Sequence, residues 1–119
     1  MKGIKLDHVS LHLIDLRGLN LADSSIKKAG LDIVYLTDAN MSHADLAGTR
    51  LSQVELTGAD LTGANLKDIS YDQFTLYSLS KARLDGAQMS DQLKADINAL
   101  NSGALSPATD KGAPSNSIK

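Results

Sequence analysis

Large aliphatic side chains recur at every fifth position of the chain, and polar residues and glycine dominate the positions between them. A second, mostly apolar series lies two residues before the first, so each block of five is apolar at positions i and i+2. This period fits neither the helical turn of about 3.6 residues nor the alternation of an open strand. The thirteen positions, here called the ladder, are Leu6, Leu11, Leu16, Leu21, Ile26, Leu31, Leu36, Met41, Leu46, Leu51, Leu56, Leu61 and Leu66.

A chain that turns a corner every five residues places the whole ladder on its inner side. Positions i and i+2 then both point inward, as they do on a strand. No coil of this kind buries its apolar side alone, so each must stack on the next, which predicts a solenoid. A helical protein is disfavoured because leucines at a period of five spread around a helix. Leucine-rich repeats are excluded by their units of about 20 to 29 residues.

Four blocks of the chain carry the signature A(D/N)LxX, at residues 39–43, 44–48, 59–63 and 64–68. In these blocks the chain resembles the pentapeptide-repeat proteins, and the resemblance covers residues 4–89. It implies an all-β fold over residues 1–89, a right-handed four-sided β-helix with about four pentapeptides in each coil.

The register of the ladder breaks after Leu66. The apolar positions continue, displaced by three residues, at Leu79, Leu84 and Met89. Three extra residues must therefore be accommodated between Leu66 and Leu79, and we expect a bulged corner there. Tyr71, Phe74 and Tyr77 are expected to fill the distorted coil. The alternative is that these aromatic residues form a patch for a partner.

The two ends of the chain differ. Residues 90–103 place Leu93, Ile97 and Leu100 at helical spacing, with Ser90 or Asp91 as the N-cap, which predicts a short α-helix over the last coil. A helix that recruits a partner is the alternative. Residues 104–119 are rich in Pro, Ser, Gly and Ala, so we expect a disordered tail.

The first coil has no predicted capping element. An uncapped coil exposes leucine side chains and backbone hydrogen-bonding groups. We therefore expect either a homodimer interface at this end or a chain that continues another domain.

Residues suited to catalysis or metal binding are sparse. The chain has no cysteine, which excludes disulfides and thiolate sites. His8 and His12 are four residues apart but fall on different sides of the coil, and no Ser/His/Asp arrangement is recognisable. Ser24 and Thr49 occupy inward positions and are interpreted as core hydroxyls that bond to backbone. We expect no enzyme activity, catalytic residue, cofactor or metal.

The chain shows no signal for membrane insertion. No apolar run approaches the length needed for a transmembrane segment. Charged residues and a His interrupt the start, where a secretory signal needs an apolar stretch. We expect a soluble protein that is cytoplasmic or is secreted without a cleavable signal peptide.

The surface of the middle coils is predicted to be acidic. Residues 31–92 carry nine acidic and four basic side chains. Stacking every four blocks aligns outward residues into rows such as Asn20, Asn40 and Asp60, and Asp15, Tyr35 and Glu55. The candidate partner-binding residues are Asp38, Asp45, Glu55, Asp60, Asp68 and Asp72.

Three functions suit such a rod. The first is a protein-binding scaffold, which needs only a surface; the irregular end resembles pentapeptide-repeat modules of secreted bacterial effectors. The second is an acidic DNA mimic that binds a type II topoisomerase, as the quinolone-resistance members do. The net charge of only −2 and the basic first coil depart from that type. The third is a structural spacer or accessory domain of a larger protein. Direct nucleic-acid binding is disfavoured because no basic patch with interleaved aromatics is present.

Overall fold

A computed structural model describes residues 3–102, and these form a β-solenoid of about four turns, as the five-residue period predicts. A four-stranded parallel sheet has the order β1-β2-β3-β5, and β4 pairs with β6 in a second sheet. The strands are β1 (Ser10–Asp15), β2 (Gly30–Tyr35), β3 (Arg50–Ser52), β4 (Asn65–Leu66), β5 (Ser70–Tyr71) and β6 (Gln88–Met89). Two short helices complete the described chain: α1 (Gln73–Leu79) follows β5, and α2 (Asp91–Asn101) follows β6.

The coils stack with a repeat of 20 residues, since Ser10 pairs with Gly30 and Gly30 with Arg50. Each ladder residue therefore lies over its counterpart in the next coil, and the solenoid has four sides. The expected rows of outward residues are confirmed by the bridges from Asn20 to Asn40 and Asp60, and from Tyr35 to Glu55. The last coil extends the ladder by Tyr71, Leu79, Leu84 and Met89. Each side is defined by the ladder residues stacked along it: side 1 by Leu6, Ile26, Leu46, Leu66 and Met89; side 2 by Leu11, Leu31, Leu51 and Tyr71; side 3 by Leu16, Leu36, Leu56 and Leu79; side 4 by Leu21, Met41, Leu61 and Leu84.

The core is a column of these ladder residues. In the middle coils they are fully buried. Half-burial is confined to end-coil positions such as Leu6, Leu11, Leu16, Leu84 and Met89, because an end coil has a neighbour on one side only. Buried Ser24 and Thr49 are satisfied by backbone. Ser24 Oγ accepts the Ile4 N–H at 3.2 Å, and Thr49 Oγ1 accepts the Ala29 N–H and donates to the Ile26 carbonyl.

Outward Asp, Asn and Glu side chains brace the corners. Each lies one residue before a ladder residue and accepts the backbone N–H two residues further on, at 3.0 to 3.1 Å. Short side chains with an acceptor oxygen favour such turns. The bond explains why the repeat has Asp or Asn in its second position. The residues are Asp15, Asn20, Asn40, Asp45, Glu55, Asp60 and Asn65.

The three extra residues form a helix, so the expected bulged corner is wrong. Asp60 pairs with Arg83, a step of 23 residues, and α1 fills side 3 of the last coil. Two hydroxyls of α1 accept backbone N–H groups of the preceding coil in place of the carbonyls that a strand would supply. Thr75 Oγ1 accepts the Val54 N–H at 3.0 Å, and Ser78 Oγ accepts the Leu56 N–H at 3.1 Å. Phe74 and Tyr77, expected to fill this coil, are instead 47% and 40% exposed.

The helix α2 covers the last coil, as predicted. Ser90 is its N-cap and accepts the Leu93 N–H at 3.2 Å. Leu93 and Ile97 are buried and Leu100 packs against the core. The expected tail at 104–119 lies outside the described residues. No helix within 3–102 has the length and apolar character that a membrane crossing requires.

Candidate functional site

Histidine and carboxylate side chains do not assemble into a metal site anywhere in residues 3–102. His8 lies on side 1 and His12 on side 2, as their spacing predicted. His12 Nδ1 is 2.8 Å from Asp32 Oδ2, and both side chains are exposed. In the described part of the chain, His and carboxylate side chains therefore interact in pairs and do not converge on one point.

The six candidate acidic residues lie on all four sides of the solenoid. Asp45 and Asp68 belong to side 1, Asp72 to side 2, Asp38 and Glu55 to side 3, and Asp60 to side 4. The structure therefore does not gather them on one surface; only Asp38 and Glu55 share a side with the exposed apolar residues described below.

Four of these carboxylates bind backbone of the solenoid itself. Asp45, Glu55 and Asp60 brace corners in the manner described above. Hydrogen bonds from Thr62 lower the pKa of Asp60. Asp72 caps α1 through the Thr75 N–H at 2.8 Å and also accepts the Gln53 N–H at 2.8 Å. Burial raises the pKa of Asp72 and these bonds lower it, with a net lowering. These four carboxylates therefore stabilise the fold, whether or not a partner also contacts them.

Exposed large apolar side chains, in contrast, lie along side 3 and its corner with side 2, in the first, second and last coils. Leu13 is 64%, Tyr35 43%, Phe74 47% and Tyr77 40% exposed, and these are the exposed large hydrophobics of the described chain. Leu13 stands at the corner between sides 2 and 3, Tyr35 lies on side 3, and α1 carries the two others on side 3 of the last coil. Together with half-buried Ile33, at the same corner as Leu13, they are here called the apolar strip.

The backbone at Leu13 and Ile33 has the left-handed conformation, with φ of 54° and 56°. The other non-glycine residues with positive φ in residues 3–102 are His, Asp, Lys and Gln. An L-residue pays about 1 to 2 kcal/mol in this region, and a β-branched one such as Ile is a true outlier there. The fold thus holds two aliphatic side chains at a corner that suits neither of them.

Charged groups border the apolar strip. Arg17 donates to Asp15 through Nε at 2.8 Å and Nη2 at 2.7 Å, and this pair lowers the pKa of the Asp15 carboxyl to about 2. Lys81 Nζ lies 5.3 Å from the centre of the Tyr77 ring, a cation–π arrangement. Side 3 therefore presents Tyr35, Phe74 and Tyr77 among charged residues, and protein interfaces combine apolar and charged groups in this way.

Sequence reasoning missed Leu13 and Ile33. They are apolar residues at a corner position that elsewhere carries glycine or a polar residue such as Asp23 or His43. That departure from the repeat was the signal that marks them.

Comparison with known proteins agrees with this architecture. A family model described as pentapeptide repeats matches eight copies over residues 34–69. The crystal structure of alr5209, a pentapeptide repeat protein from Nostoc Pcc 7120, is similar at 30% identity with a TM-score of 0.52, over 74% of this chain and 66% of that one. AT2G44920, a pentapeptide repeat protein of the Arabidopsis thaliana thylakoid lumen, matches at 26% identity with a TM-score of 0.44, over 72% and 58%.

The chain thus spans about two thirds of the first relative's length and less of the second's. QnrB1, a plasmid-mediated fluoroquinolone resistance protein, matches at 18% identity over 69% of this chain and 42% of that one, with a TM-score of 0.30, which is too distant to bear on function. No curated protein matches the chain.

Proposed function

The chain belongs to the pentapeptide-repeat proteins, and on that premise we propose that it is a non-enzymatic protein-binding scaffold whose partner docks on the apolar strip. The scaffold supplies rigidity, because every coil is held by its neighbours through parallel backbone pairing. The partner is a protein segment with apolar side chains that cover the corner between sides 2 and 3.

The observation that carries the proposal is the backbone conformation of Leu13 and Ile33. Strained residues persist where the surrounding structure holds them, and they concentrate at functional sites. Asn, Asp or Gly at this corner relieves the strain. Leu13 nevertheless remains 64% exposed, so it gains little from burial in the chain itself. A partner that buries it supplies the compensating interaction.

Two further features support docking on this side. Exposed apolar side chains that cluster, rather than scatter, mark interaction surfaces. Tyr and Phe are enriched in interface cores, and Tyr35, Phe74 and Tyr77 all lie on side 3. Glu55, from the acidic candidates, pairs with Tyr35 in the next coil and contributes a polar group beside the strip.

The test is a selection of random linear peptides, displayed on phage, against the immobilised protein. We expect the wild-type protein to enrich peptides rich in apolar residues and the double variant Leu13→Asn, Ile33→Asn to lose most of that binding. Asn tolerates the left-handed conformation, so the double variant keeps its fold. Circular dichroism and thermal unfolding of both proteins check this point.

The matched control is Lys28→Asn. Lys28 has the same left-handed corner conformation, with φ of 54°, but stands at the corner between sides 1 and 2, one corner away from Leu13 and Ile33. This variant undergoes the same kind of backbone relief and is expected to bind the selected peptides as the wild type does. Equal binding by the wild type and the Leu13/Ile33 double variant would overturn the proposal.

A further inference from the structure

A shallow groove crosses side 2 on the outer surface of β1, β2 and β3. It lies directly beside the apolar strip, because Leu13 follows His12 and Ile33 follows Asp32 along the chain. Two rows of outward side chains line it: Ser10, Gly30 and Arg50 form the first, and His12, Asp32 and Ser52 form the second.

Arg50 is the charged side chain of this groove that remains available. His12 and Asp32 engage each other at 2.8 Å, and Asp72, further along the second row, caps α1. Within residues 3–102, the Arg50 guanidinium forms neither an ion pair nor a hydrogen bond. The acids of side 2 thus accept hydrogen bonds within the chain while the Arg50 guanidinium donates none, so Arg50 is the group of this groove that a carboxylate can bind.

Gly30 provides the seat for this guanidinium. A Cβ atom added at residue 30 would stand 2.9 Å from Arg50 Nη2, closer than such atoms approach in proteins. Gly30 does not have a positive φ, so the backbone does not require glycine here. The missing side chain instead lets Arg50 lie across β2 toward the groove.

We propose that Arg50 binds a carboxylate side chain of the partner that docks on the apolar strip. This inference rests on the proposed function and specifies the partner's chemistry: Asp or Glu beside apolar residues. A guanidinium presents two parallel N–H donors that match the two oxygens of a carboxylate. The hydroxyls of Ser10 and Ser52 line the same groove and supply further donors.

The experiment uses the same random peptide library and compares the sequences enriched by three proteins. The wild type is expected to enrich peptides with Asp or Glu next to apolar residues. Arg50→Gln removes the charge, and Gly30→Ala keeps it but displaces the guanidinium. Both variants are expected to retain apolar peptides. Arg50→Gln is expected to lose the preference for Asp or Glu, and Gly30→Ala to weaken it, because the flexible Arg50 side chain must shift.

The strongest wild-type peptide then enters a double-mutant cycle. The cycle combines Arg50→Gln in the protein with replacement of the peptide's acidic residue by the matching amide. Each single change is expected to weaken binding by roughly 10- to 100-fold, the range of a charge-assisted hydrogen bond, and the double change by no more than either alone. Arg83→Gln removes an exposed guanidinium from side 4 and is expected to leave affinity unchanged.

The outcomes separate the two proposals. Wild-type peptides that need the strip but show no preference for Asp or Glu would overturn the carboxylate site and leave the scaffold proposal standing. Additive losses in the cycle, or an equal loss from Arg83→Gln, would have the same effect. Peptides that bind without regard to the strip, or a selection that enriches none, would count against both.

Discussion

The Tyr71 hydroxyl donates a hydrogen bond to Asp96 Oδ2 at 2.6 Å and thereby fastens α2 to the last coil of the solenoid. Tyr71 occupies the ladder position of side 2, where the preceding coil has Leu51. An aromatic ring at the end of the ladder thus covers the core with its body and reaches the capping helix with its hydroxyl.

Tyr71→Phe is expected to destabilise the protein by about 1.5 to 3 kcal/mol, because it removes a hydrogen bond to a charged group while keeping the ring. The free energy of unfolding from urea denaturation measures the effect. Gln92→Ala is the control, since it removes the exposed hydrogen bond to the other oxygen of Asp96 and is expected to cost much less. Equal losses from the two variants would contradict the assigned role of Tyr71.

The stabilising effect of Tyr71 is expected to depend on pH. Burial, with help from Asp96, raises the pKa of Tyr71 from 10.0 to about 12. A raised pKa means that the folded state holds the proton more tightly, so the contribution is complete below the unfolded pKa. It is lost as the pH rises from 10.0 to about 12. The stability difference between the wild type and Tyr71→Phe should shrink over that window, and a constant difference would contradict it.

Thr49→Val is expected to cost about 1 to 3 kcal/mol, although the two side chains have nearly the same shape. The Thr49 hydroxyl is fully buried and satisfies the Ala29 N–H and the Ile26 carbonyl, which the variant leaves unpaired. Thr37→Val is the matched control, because the half-buried Thr37 hydroxyl bonds to none of residues 3–102. The control should change the free energy of unfolding by less than about 0.5 kcal/mol.

The solenoid was predictable from the sequence because thirteen consecutive blocks repeat one physical requirement, an apolar residue facing the same core. The helix α1 was not predictable in the same way. Its seven residues are too few for a clear helical period, and Thr, Phe and Tyr also favour strands. In a helix, Phe74 and Tyr77 are three residues apart and share the outer face, so they cannot both fill the core.

The candidate surface was harder to predict than the fold. An Asp that braces a corner and an Asp that binds a partner have the same charge, so Asp45 and Asp60 counted equally with Asp38 in the sequence. Their hydrogen bonds to backbone appear only in the structure. The backbone angle at Leu13 and Ile33, which marks the apolar strip, is likewise a property of the folded corner.

Replacing one ladder leucine by alanine should have a position-dependent effect. Leu46, in the middle of side 1, is 3% exposed, whereas Leu6 is half-buried in the first coil of the same side. Leu46→Ala is expected to lose about 2 to 5 kcal/mol through lost burial and the cavity it leaves. Leu6→Ala should lose clearly less, because part of its surface already meets solvent. Urea denaturation of both variants decides this, and equal losses would contradict a ladder stacked in this order.

Leu13→Asn is expected to stabilise the free protein while weakening peptide binding. The substitution relieves a left-handed backbone that costs a leucine about 1 to 2 kcal/mol, and Asn tolerates that conformation. Little packing is lost because the Leu13 side chain is 64% exposed. The expected gain is about 1 kcal/mol in the free energy of unfolding, of the size seen when strain at a functional site is removed. A destabilised Leu13→Asn variant would show instead that Leu13 serves the fold, and the strained corner would then give no support to a docking surface.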